Sequence, residues 1–356
     1  MSKIASYGEI NLPLRVGIVG TGFAAKIRAQ SFIAENRTQL VAVSGRNPER
    51  TAEFALSFDI QAIDDWQTLV QMPDIDLVLV ATINTNHSAI VRAAIAAGKH
   101  TIVEYPLALD LLEATEIVKL AAAKKVLLHV EHIELLGGLH QTMREWLERL
   151  GEVHYARYST IVCQRPIPEK WTFHRTEFGF PLVAALSRLH RFTDLFGAIE
   201  SVNCQNQYWG GVGDYYKTCL CTAQLRFKNN RAIGEVVYGK GEGLWQNSRK
   251  FEVHGEKGAL IFDGDEGVFI QDGTSTPLDL GARKGLFAKD LEFVLDYLID
   301  GKPNYVTPAA SLATLRVAEA ARISAETRRT VTIDPISSRL DREKVILDEV
   351  DLKYQK

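Results

Sequence analysis

A glycine-rich turn near the start of the chain has the spacing of a dinucleotide-binding loop. Gly20, Gly22 and Ala25 form a G-x-G-x-x-A pattern that follows the apolar run RVGIVG and opens a helix-like segment. The first glycine permits the tight turn, the second lets the backbone approach a pyrophosphate, and the small alanine lets the helix pack on the strand. The pattern alone is weak, but its place between a strand and a helix favours a cofactor site. The candidate cofactor residues of this turn are Gly20, Thr21, Gly22, Phe23 and Ala24.

The end of the second apolar run indicates which cofactor is bound. NAD enzymes usually carry a carboxylate here that accepts hydrogen bonds from the ribose 2′-hydroxyl. This chain instead has Ser44, Arg46 and Asn47, which can pair with or donate to a 2′-phosphate that a carboxylate would repel. The sequence therefore favours NADP(H), with the alternative that Arg46 is an ordinary solvated loop charge. The candidate residues here are Ser44, Gly45, Arg46, Asn47 and Arg50.

Polar residues also follow the next two apolar runs. ATINTNH follows one of them, and Glu104 and Tyr105 end the other. In an open α/β sheet, ligands bind at the carboxyl ends of the strands, so these residues are cofactor candidates. The alternative is that Asn84 or Asn86 caps a helix, and both readings are compatible. The cofactor candidates are Thr82, Ile83, Asn84, His87, Glu104 and Tyr105.

The elements that must position these residues form an α/β pattern over the first third of the chain. Apolar runs alternate with helix-period segments, which predicts a parallel sheet covered on both faces. We therefore expect a Rossmann NADP-binding domain over residues 1–133. The predicted strands are RVGIVG, QLVAVSG, DLVLVAT, HTIVEY and VLLHVEH, and the predicted helices cover 24–35, 48–57, 86–97 and 111–124.

After Glu134 the pattern changes to strands in succession, which predicts an α+β domain with a large, mainly antiparallel open sheet over 134–330. A helix over about 137–149 precedes a strand, EVHYARYSTIV, and a proline-containing loop then leads to a helix over about 181–196. A long helix begins at Thr307-Pro308 and extends to about residue 328. The tail, 331–356, is charged and weakly patterned, and the sequence leaves its structure undecided.

Composition excludes several classes of function. The 356 residues carry a net charge of −3, so no basic field points to a nucleic-acid partner. The apolar runs are too short to cross a bilayer and the N-terminus lacks an apolar signal segment, so a cytoplasmic enzyme without a membrane partner is expected. The cysteines lack metal-ligand spacing, and the segment HVEH at 129–132 lacks the H-E-x-x-H pattern, so no metal is expected.

The motif Glu104-Tyr105-Pro106 resembles a conserved site of the glucose-fructose oxidoreductase and inositol dehydrogenase family. That family usually has a lysine in an E-K-P motif, which assists proton transfer at a sugar hydroxyl. Tyr105 replaces the lysine here, and a phenol with a pKa near 10 is a poorer base at neutral pH. This departure puts sugar dehydrogenation in doubt.

Three segments in register resemble the biliverdin reductases, and the cyanobacterial ones most closely. They are EYP at 104–106, LLHVEHIELLGG at 127–138 and FGFPLVAALSRLHRFTDLFG at 178–197. The resemblance implies that NADPH reduces biliverdin at its C10 methine bridge to give bilirubin. It also implies three catalytic residues, Arg188, Tyr105 and Glu134.

The residues themselves suit a flat, anionic bilin. Tyr105 could line a slot and donate a hydrogen bond, while Arg188 and Arg191 are three residues apart and share a helix face. Arg188 is expected to stabilise the reacting form, since a guanidinium is a poor proton donor. The alternatives are a strand-end aromatic, a solvated helix face and a surface loop at 164–177. The expected substrate-binding residues are His132, His129, Arg191, Trp171, Lys170 and Arg175.

Two other functions remain open at this point. One is an NADP-dependent sugar or inositol dehydrogenase of the same fold, and the other is a non-catalytic NADP-binding sensor. The missing lysine argues against the first, and the joint presence of Tyr105, Arg188 and Glu134 argues against the second. The sequence carries no interface pattern that distinguishes a monomer from a homodimer.

Overall fold

The structure, a computed structural model, describes Tyr7, residues 10–281 and residues 284–333. The chain divides into two compact units, and each contains parts from separate stretches of sequence. Within the described residues, the first unit contains the chain up to Ile133 together with Gly285–Leu312, and the second contains Glu134–Lys284 and the chain from Ala313 onward.

The first unit contains a parallel sheet of six strands among its described residues, in the order β3-β2-β1-β4-β5-β6. The order reverses between β1 and β4, and α/β sheets of this kind bind ligands at such a point, outside the carboxyl ends of the strands. The strands are β1 (Leu14–Val19), β2 (Thr38–Ser44), β3 (Gln61–Ile63), β4 (Leu77–Val80), β5 (His100–Val103) and β6 (Leu128–Val130). The helices between them are α1 (Phe23–Ala34), α2 (Pro48–Phe58), α3 (Trp66–Gln71), α4 (Asn84–Ala96) and α5 (Leu111–Lys124).

These elements confirm the predicted Rossmann pattern, because the central strands are apolar and the predicted helices begin and end within two residues of the observed ones. The strand β3, the short helix α3 and a further helix of this unit, Leu286–Asp300, were not predicted. The last of these lies in a separate stretch of sequence. Its apolar residues Leu291, Val294, Leu295 and Leu298 join the core of the first unit around Phe32 of α1. The helix lies far along the sequence from that core, so no local pattern indicates where it packs.

The second unit is built on a sheet of nine strands among its described residues, in the order β14-β13-β12-β11-β7-β10-β9-β8-β15. Neighbouring strands are antiparallel except β7 and β10, which are parallel, so the predicted mainly antiparallel sheet is confirmed. The strands are β7 (Val153–Cys163), β8 (Ile199–Trp209), β9 (Thr218–Phe227), β10 (Ile233–Gly241), β11 (Ser248–Gly255), β12 (Gly258–Asp263), β13 (Glu266–Gln271), β14 (Thr274–Leu278) and β15 (Val331–Thr332).

The helices around this sheet differ in detail from the sequence expectation. The predicted helix over 137–149 ends earlier and continues as a 3₁₀ turn, Leu147–Leu150. The predicted helix over 181–196 is broken, because Ala185 has a non-helical ψ of 41°. The proline loop contains a 3₁₀ turn, Trp171–Phe173, and a short helix. The remaining helices of the chain are α6 (Gly138–Trp146), α7 (Arg175–Phe178), α8 (Pro181–Ala184), α9 (Ser187–Phe196), α10 (Leu286–Asp300) and α11 (Pro308–Thr327).

The expected tail, 331–356, is described only at its start, where Val331–Thr332 pairs with β8. The tail from residue 334 onward lies outside the described residues. In the part of the chain that the structure describes, no helix combines the length and the apolar character that a membrane span requires.

A buried cluster of charged side chains connects α10 with the rest of the first unit. Arg28 of α1 is 1% exposed and forms ion pairs with Glu104 and Asp290, and Asp290 also accepts a hydrogen bond from Tyr305 and lies 2.8 Å from the Nε2 atom of His129. Burial alone would raise the pKa of Asp290, but the Arg28 guanidinium and His129 hold it well below its ordinary value. The carboxylate of α10 is therefore ionised inside the protein.

Replacing Asp290 by Asn should destabilise the protein strongly, because it leaves the Arg28 charge buried with less compensation. We expect the free energy of unfolding to fall by about 3–5 kcal/mol at neutral pH, as for other broken buried pairs. Since the pKa of Asp290 is lowered in the folded state, its contribution is present above the unfolded pKa, about 3.9, and is lost as the pH falls further. Urea unfolding measured at several pH values should show the variant and the wild type converging in acid. Asp296→Asn, on the same helix, serves as the control, and equal destabilisation by both variants would contradict the role of the cluster.

Candidate functional site

The glycine turn of the first unit fits a nucleotide pyrophosphate. Gly20 has a φ of +126°, and a Cβ atom there would lie 2.1 Å from the carbonyl oxygen of Ala81, so glycine is required. At Gly22, by contrast, no described atom beyond the adjoining backbone and chain neighbours lies within 4 Å of the Cβ position, which leaves room for a ligand against the backbone. Helix α1 begins at Phe23 without a side-chain cap from any described residue, so its first amides can bind an anion. The side chain of Phe23 is 79% exposed beside this turn.

The predicted phosphate-selecting residues follow β2, next to the glycine turn. The carbonyl of Ser44 accepts a hydrogen bond from the amide of Gly20 at 2.8 Å, so the two loops are joined. Arg46 is exposed, while the side chain of Asn47 caps α2 by accepting from the amide of Arg50 at 2.9 Å. The structure therefore places an exposed arginine at the end of β2, with Asn47 committed in part to the helix cap.

His87 supports the cofactor edge from inside. It is 1% exposed, and its ring nitrogens lie 2.8 Å from the carbonyl oxygen of Pro106 and 3.3 Å from that of Thr82. Burial lowers the pKa of His87, and a neutral imidazole carries one N–H, which can donate to one of these two carbonyls. Asn84 begins α4 and is also buried. His87 thus links the ends of β4 and β5, where the predicted cofactor residues lie.

Tyr105 presents a flat aromatic surface at the end of β5. Its ring is half-buried and stacks on His132 with a centroid distance of 5.7 Å and an interplanar angle of 3°. The imidazole of His132 lies 2.9 Å from the hydroxyl of Ser311, and its backbone amide donates to the Tyr305 hydroxyl. Glu104 accepts from Arg28 at 2.9 Å. Tyr105 therefore lies next to two side chains that are themselves held in place, Glu104 before it in the chain and His132 against its ring.

His129, the middle residue of β6, and Glu131, which directly follows β6, are both buried. His129 is 1% exposed and is held by Asp290 and Asn304, while burial raises the pKa of Glu131 well above its ordinary value. The structure thus places the expected substrate residue His129 inside the first unit. Within the described residues, no group of three or more His, Cys, Asp or Glu side chains is arranged to hold a metal ion.

In the second unit, Arg188 lies half-buried at the start of α9. Its Nη1 donates to the hydroxyl of Ser187 at 2.9 Å and its Nε to that of Thr160 at 3.4 Å. Its guanidinium carbon is 5.7 Å from the centroid of the Tyr238 ring, within reach of a cation–π contact. The structure therefore holds a permanent positive charge against the sheet at the position that the sequence singled out.

Arg191, one turn further along α9, differs from the expectation of two equivalent cations on one face. It is 2% exposed, and its Nη2 forms an ion pair with Glu134 at 2.5 Å. The guanidinium also lies over the ring of Tyr158 at 5.5 Å. Glu134 and Arg191, both predicted from sequence, are brought together as a neutralising pair.

The loop over 164–177 is ordered by a residue that the sequence analysis missed. Lys240 of β10 lies 7% exposed with its ammonium 3.5 Å from the centroid of Phe178, and it donates to the carbonyl of Thr172. Burial lowers its pKa to about 7. The pattern of β10 marks Lys240 only as a strand-end cation, so the sequence carried no signal for this role. Of the expected loop residues, Lys170 and Arg175 are exposed and Trp171 is half-buried against Phe178.

Comparison with known families assigns both units. A family model described as an oxidoreductase family with an NAD-binding Rossmann fold matches residues 14–132, and its C-terminal alpha/beta domain matches residues 144–333. The chain belongs to this oxidoreductase family. The glycine turn and the Tyr105 motif lie in the Rossmann part, and Arg188 lies in the alpha/beta part, so both groups of candidate residues fall within the family's domains.

Several members of the oxidoreductase family are similar to this chain over most of its length. The crystal structure of biliverdin reductase from Synechocystis sp. PCC 6803, in complex with biliverdin and NADP+, is 52% identical, with a TM-score of 0.86 and coverage of 88% of this chain and 99% of that chain. Biliverdin reductase A of Mus musculus is 28% identical over 79% of this chain and 94% of its own length. Myo-inositol 2-dehydrogenase of Thermotoga maritima is 23% identical over 91% and 99%. The resemblance to biliverdin reductases that the sequence indicated is confirmed.

The exposed arginine after β2 gives a test of cofactor choice. Arg46→Ala should weaken NADP+ binding about 10- to 100-fold, because charge-assisted hydrogen bonds contribute about 1.5–3 kcal/mol each. Binding of NAD+, which lacks the 2′-phosphate, should change little. Isothermal titration with both nucleotides measures this. Arg92→Ala, a partly exposed arginine on α4 that pairs with Glu116, is the control. An equal loss for NADP+ and NAD+ would contradict a 2′-phosphate contact.

Proposed function

We propose that this chain is an NADPH-dependent biliverdin reductase, which reduces the C10 methine bridge of biliverdin to give bilirubin. The observation that carries the proposal is the 52% identity, over 88% of the chain, to a biliverdin reductase crystallised with biliverdin and NADP+. Fold alone would leave the substrate open, since relatives of the same fold include an inositol dehydrogenase and an anhydrofructose reductase.

The residues that bind the cofactor lie in the first unit. The open backbone at Gly22 and the uncapped start of α1 hold the pyrophosphate, and Arg46 pairs with the 2′-phosphate. NADPH supplies the hydride when it is bound. Tyr105, at the end of β5, adds a flat ring and a phenol hydroxyl that can donate a hydrogen bond, which suits a conjugated tetrapyrrole. The family's sugar chemistry needs a base at this position, and a phenol at neutral pH is a poor one.

Arg188 is the second unit's contribution. Reduction adds a hydride to C10 and a proton to a ring nitrogen, so negative charge develops on the bilin before the proton arrives. A guanidinium stays protonated at neutral pH and does not give up its proton, so Arg188 acts by charge and by orienting a water molecule. Its contacts with Ser187, Thr160 and the Tyr238 ring fix that charge in place in advance.

A spectroscopic assay tests the proposal directly. Purified protein mixed with NADPH and biliverdin should convert the blue-green absorption of biliverdin into the yellow absorption of bilirubin, and NADPH should be consumed in equal amount. The same protein with NADP+ and a panel of sugars and inositols should produce no NADPH. The proposal would be wrong if folded protein left the bilin spectrum unchanged, or if it oxidised an inositol efficiently.

Replacing Arg188 should affect turnover more than binding of the cofactor. We expect Arg188→Ala to lower kcat by about 100- to 1000-fold, the usual loss on removing a preorganised electrostatic group, with no change in the KM for NADPH. Arg188→Lys should recover part of the loss because it restores a positive charge without the planar donor set. Steady-state kinetics with Arg144→Ala, an exposed arginine of α6, provide the control. Turnover at the wild-type rate in Arg188→Ala would remove this residue from the mechanism.

A further inference from the structure

A cavity of about 310 Å³ lies in the second unit beside the Arg191–Glu134 pair. We call it the Arg191 pocket. Its walls include the start of α6 at Gly138, the ring of Tyr158 on β7, and Arg249 on β11. The volume is at the lower end of the range for small-molecule sites, so it would hold part of a large ligand.

Arg191 gives this pocket unmet hydrogen-bonding capacity. The side chain is 3% exposed, and its Nη2 is taken by Glu134. Its Nε and Nη1 atoms are buried and have no hydrogen-bond partner among the described residues. Buried donors without acceptors are costly, so a ligand oxygen that reaches them would be bound favourably.

Two further groups in the walls favour a negatively charged ligand. Helix α6 has nine residues, and no described side chain caps its start. Its first amides and the positive end of its dipole therefore favour a negatively charged ligand. Arg249 contributes a second guanidinium, which is 28% exposed and bonded to the carbonyl of Gly264 and to Asp265. The opposing carboxylates compete weakly, because Glu134 is neutralised by Arg191 and Asp265 is 84% exposed and screened by water.

The spacing along β7 connects this pocket with the Arg188 position. Arg188 contacts Thr160, and Arg191 lies over Tyr158, two residues away on the same face of the strand and therefore about 7 Å along it. Arg249 is the cross-strand neighbour of Thr160 in the sheet register, so it lies beside both positions. On the proposed function, Arg188 acts at the C10 bridge. The propionates of biliverdin are attached to the two rings that C10 joins, and so lie only a few bonds away.

We propose that the Arg191 pocket binds one propionate carboxylate of biliverdin, held by Arg249, by the remaining donors of Arg191 and by the first amides of α6. This proposal rests on the proposed function and extends it to the residues that select the substrate by its acid groups. It assigns Arg249, which lies on β11 outside the segments singled out from sequence, to substrate binding.

Biliverdin and its dimethyl ester are the probes, since they differ in charge at the propionates and share the chromophore. Binding is followed by visible absorbance and induced circular dichroism without cofactor, and reduction is followed with NADPH. We expect the wild type to bind the diacid at least about tenfold more tightly than the diester, in line with a charge-assisted hydrogen bond. Arg249→Gln should reduce this preference several-fold, mainly by weakening the diacid.

Arg191→Lys keeps the charge beside Glu134 but removes the additional donors, so it should also reduce the preference for the diacid while the protein remains folded. Arg226→Gln, an exposed arginine on β9, is the matched control and should keep the wild-type preference. A preference unchanged in both Arg249→Gln and Arg191→Lys overturns this assignment even where the wild type reduces biliverdin. Loss of reduction with the diacid preference intact overturns the proposed function instead.

Discussion

The buried guanidinium of Arg28 is the constraint on which the first unit depends. Removing such a charge from water costs on the order of 20 kcal/mol in the ideal Born limit, so it is tolerated only beside compensating anions. Glu104 supplies one of these at the end of β5, and Asp290 supplies the other from α10. A single side chain on α1 thereby fixes the end of a sheet strand and a helix that is 262 residues away in sequence. The same carboxylate of Asp290 also accepts from Tyr305, so the cluster extends to the chain that follows α10.

This cluster determines the setting of the aromatic surface at Tyr105. The Tyr305 hydroxyl accepts a hydrogen bond from the amide of His132, and the His132 ring stacks on Tyr105. The phenol that replaces the family's usual lysine therefore packs on a ring whose backbone is held by the cluster. The pKa of Glu131, the residue before His132, shifts in the opposite direction to the pKa of Asp290. Burial and the nearby Glu104 raise the pKa of Glu131, whereas Arg28 keeps Asp290 ionised. The pKa values of two carboxyl groups in one cluster thus shift in opposite directions, because Asp290 forms an ion pair with Arg28, whereas at Glu131 burial outweighs the attraction of the same cation.

The sequence predicted those features that local patterns determine. The glycine turn at 20–22, the helix boundaries of the Rossmann unit and the antiparallel character of the second sheet all follow from short-range periodicity and turn chemistry. Two of the features it missed are long-range, namely the packing of α10 on α1 and the burial of Lys240 among aromatic rings. Others are short and weakly patterned, namely β3, α3 and the break at Ala185 inside a continuous apolar segment. Candidate residues were recognised by type and position, but their partners were not, because pairing such as Arg191 with Glu134 depends on which elements meet in space.

Arg188 and Arg191 illustrate why residue type alone does not assign a role. They are the same amino acid, one turn apart on one helix, and both pack on β7. Arg191 is buried, and its Nη2 forms an ion pair with Glu134, so its charge is balanced by that carboxylate in the protein itself. Arg188 contacts the hydroxyls of Ser187 and Thr160 and the ring of Tyr238, and these contacts hold its guanidinium against the sheet. A guanidinium that is held in advance against the sheet can stabilise charge that develops during a reaction, whereas the buried Arg191, beside Glu134, is suited to recognising the shape and the hydrogen-bonding groups of a ligand.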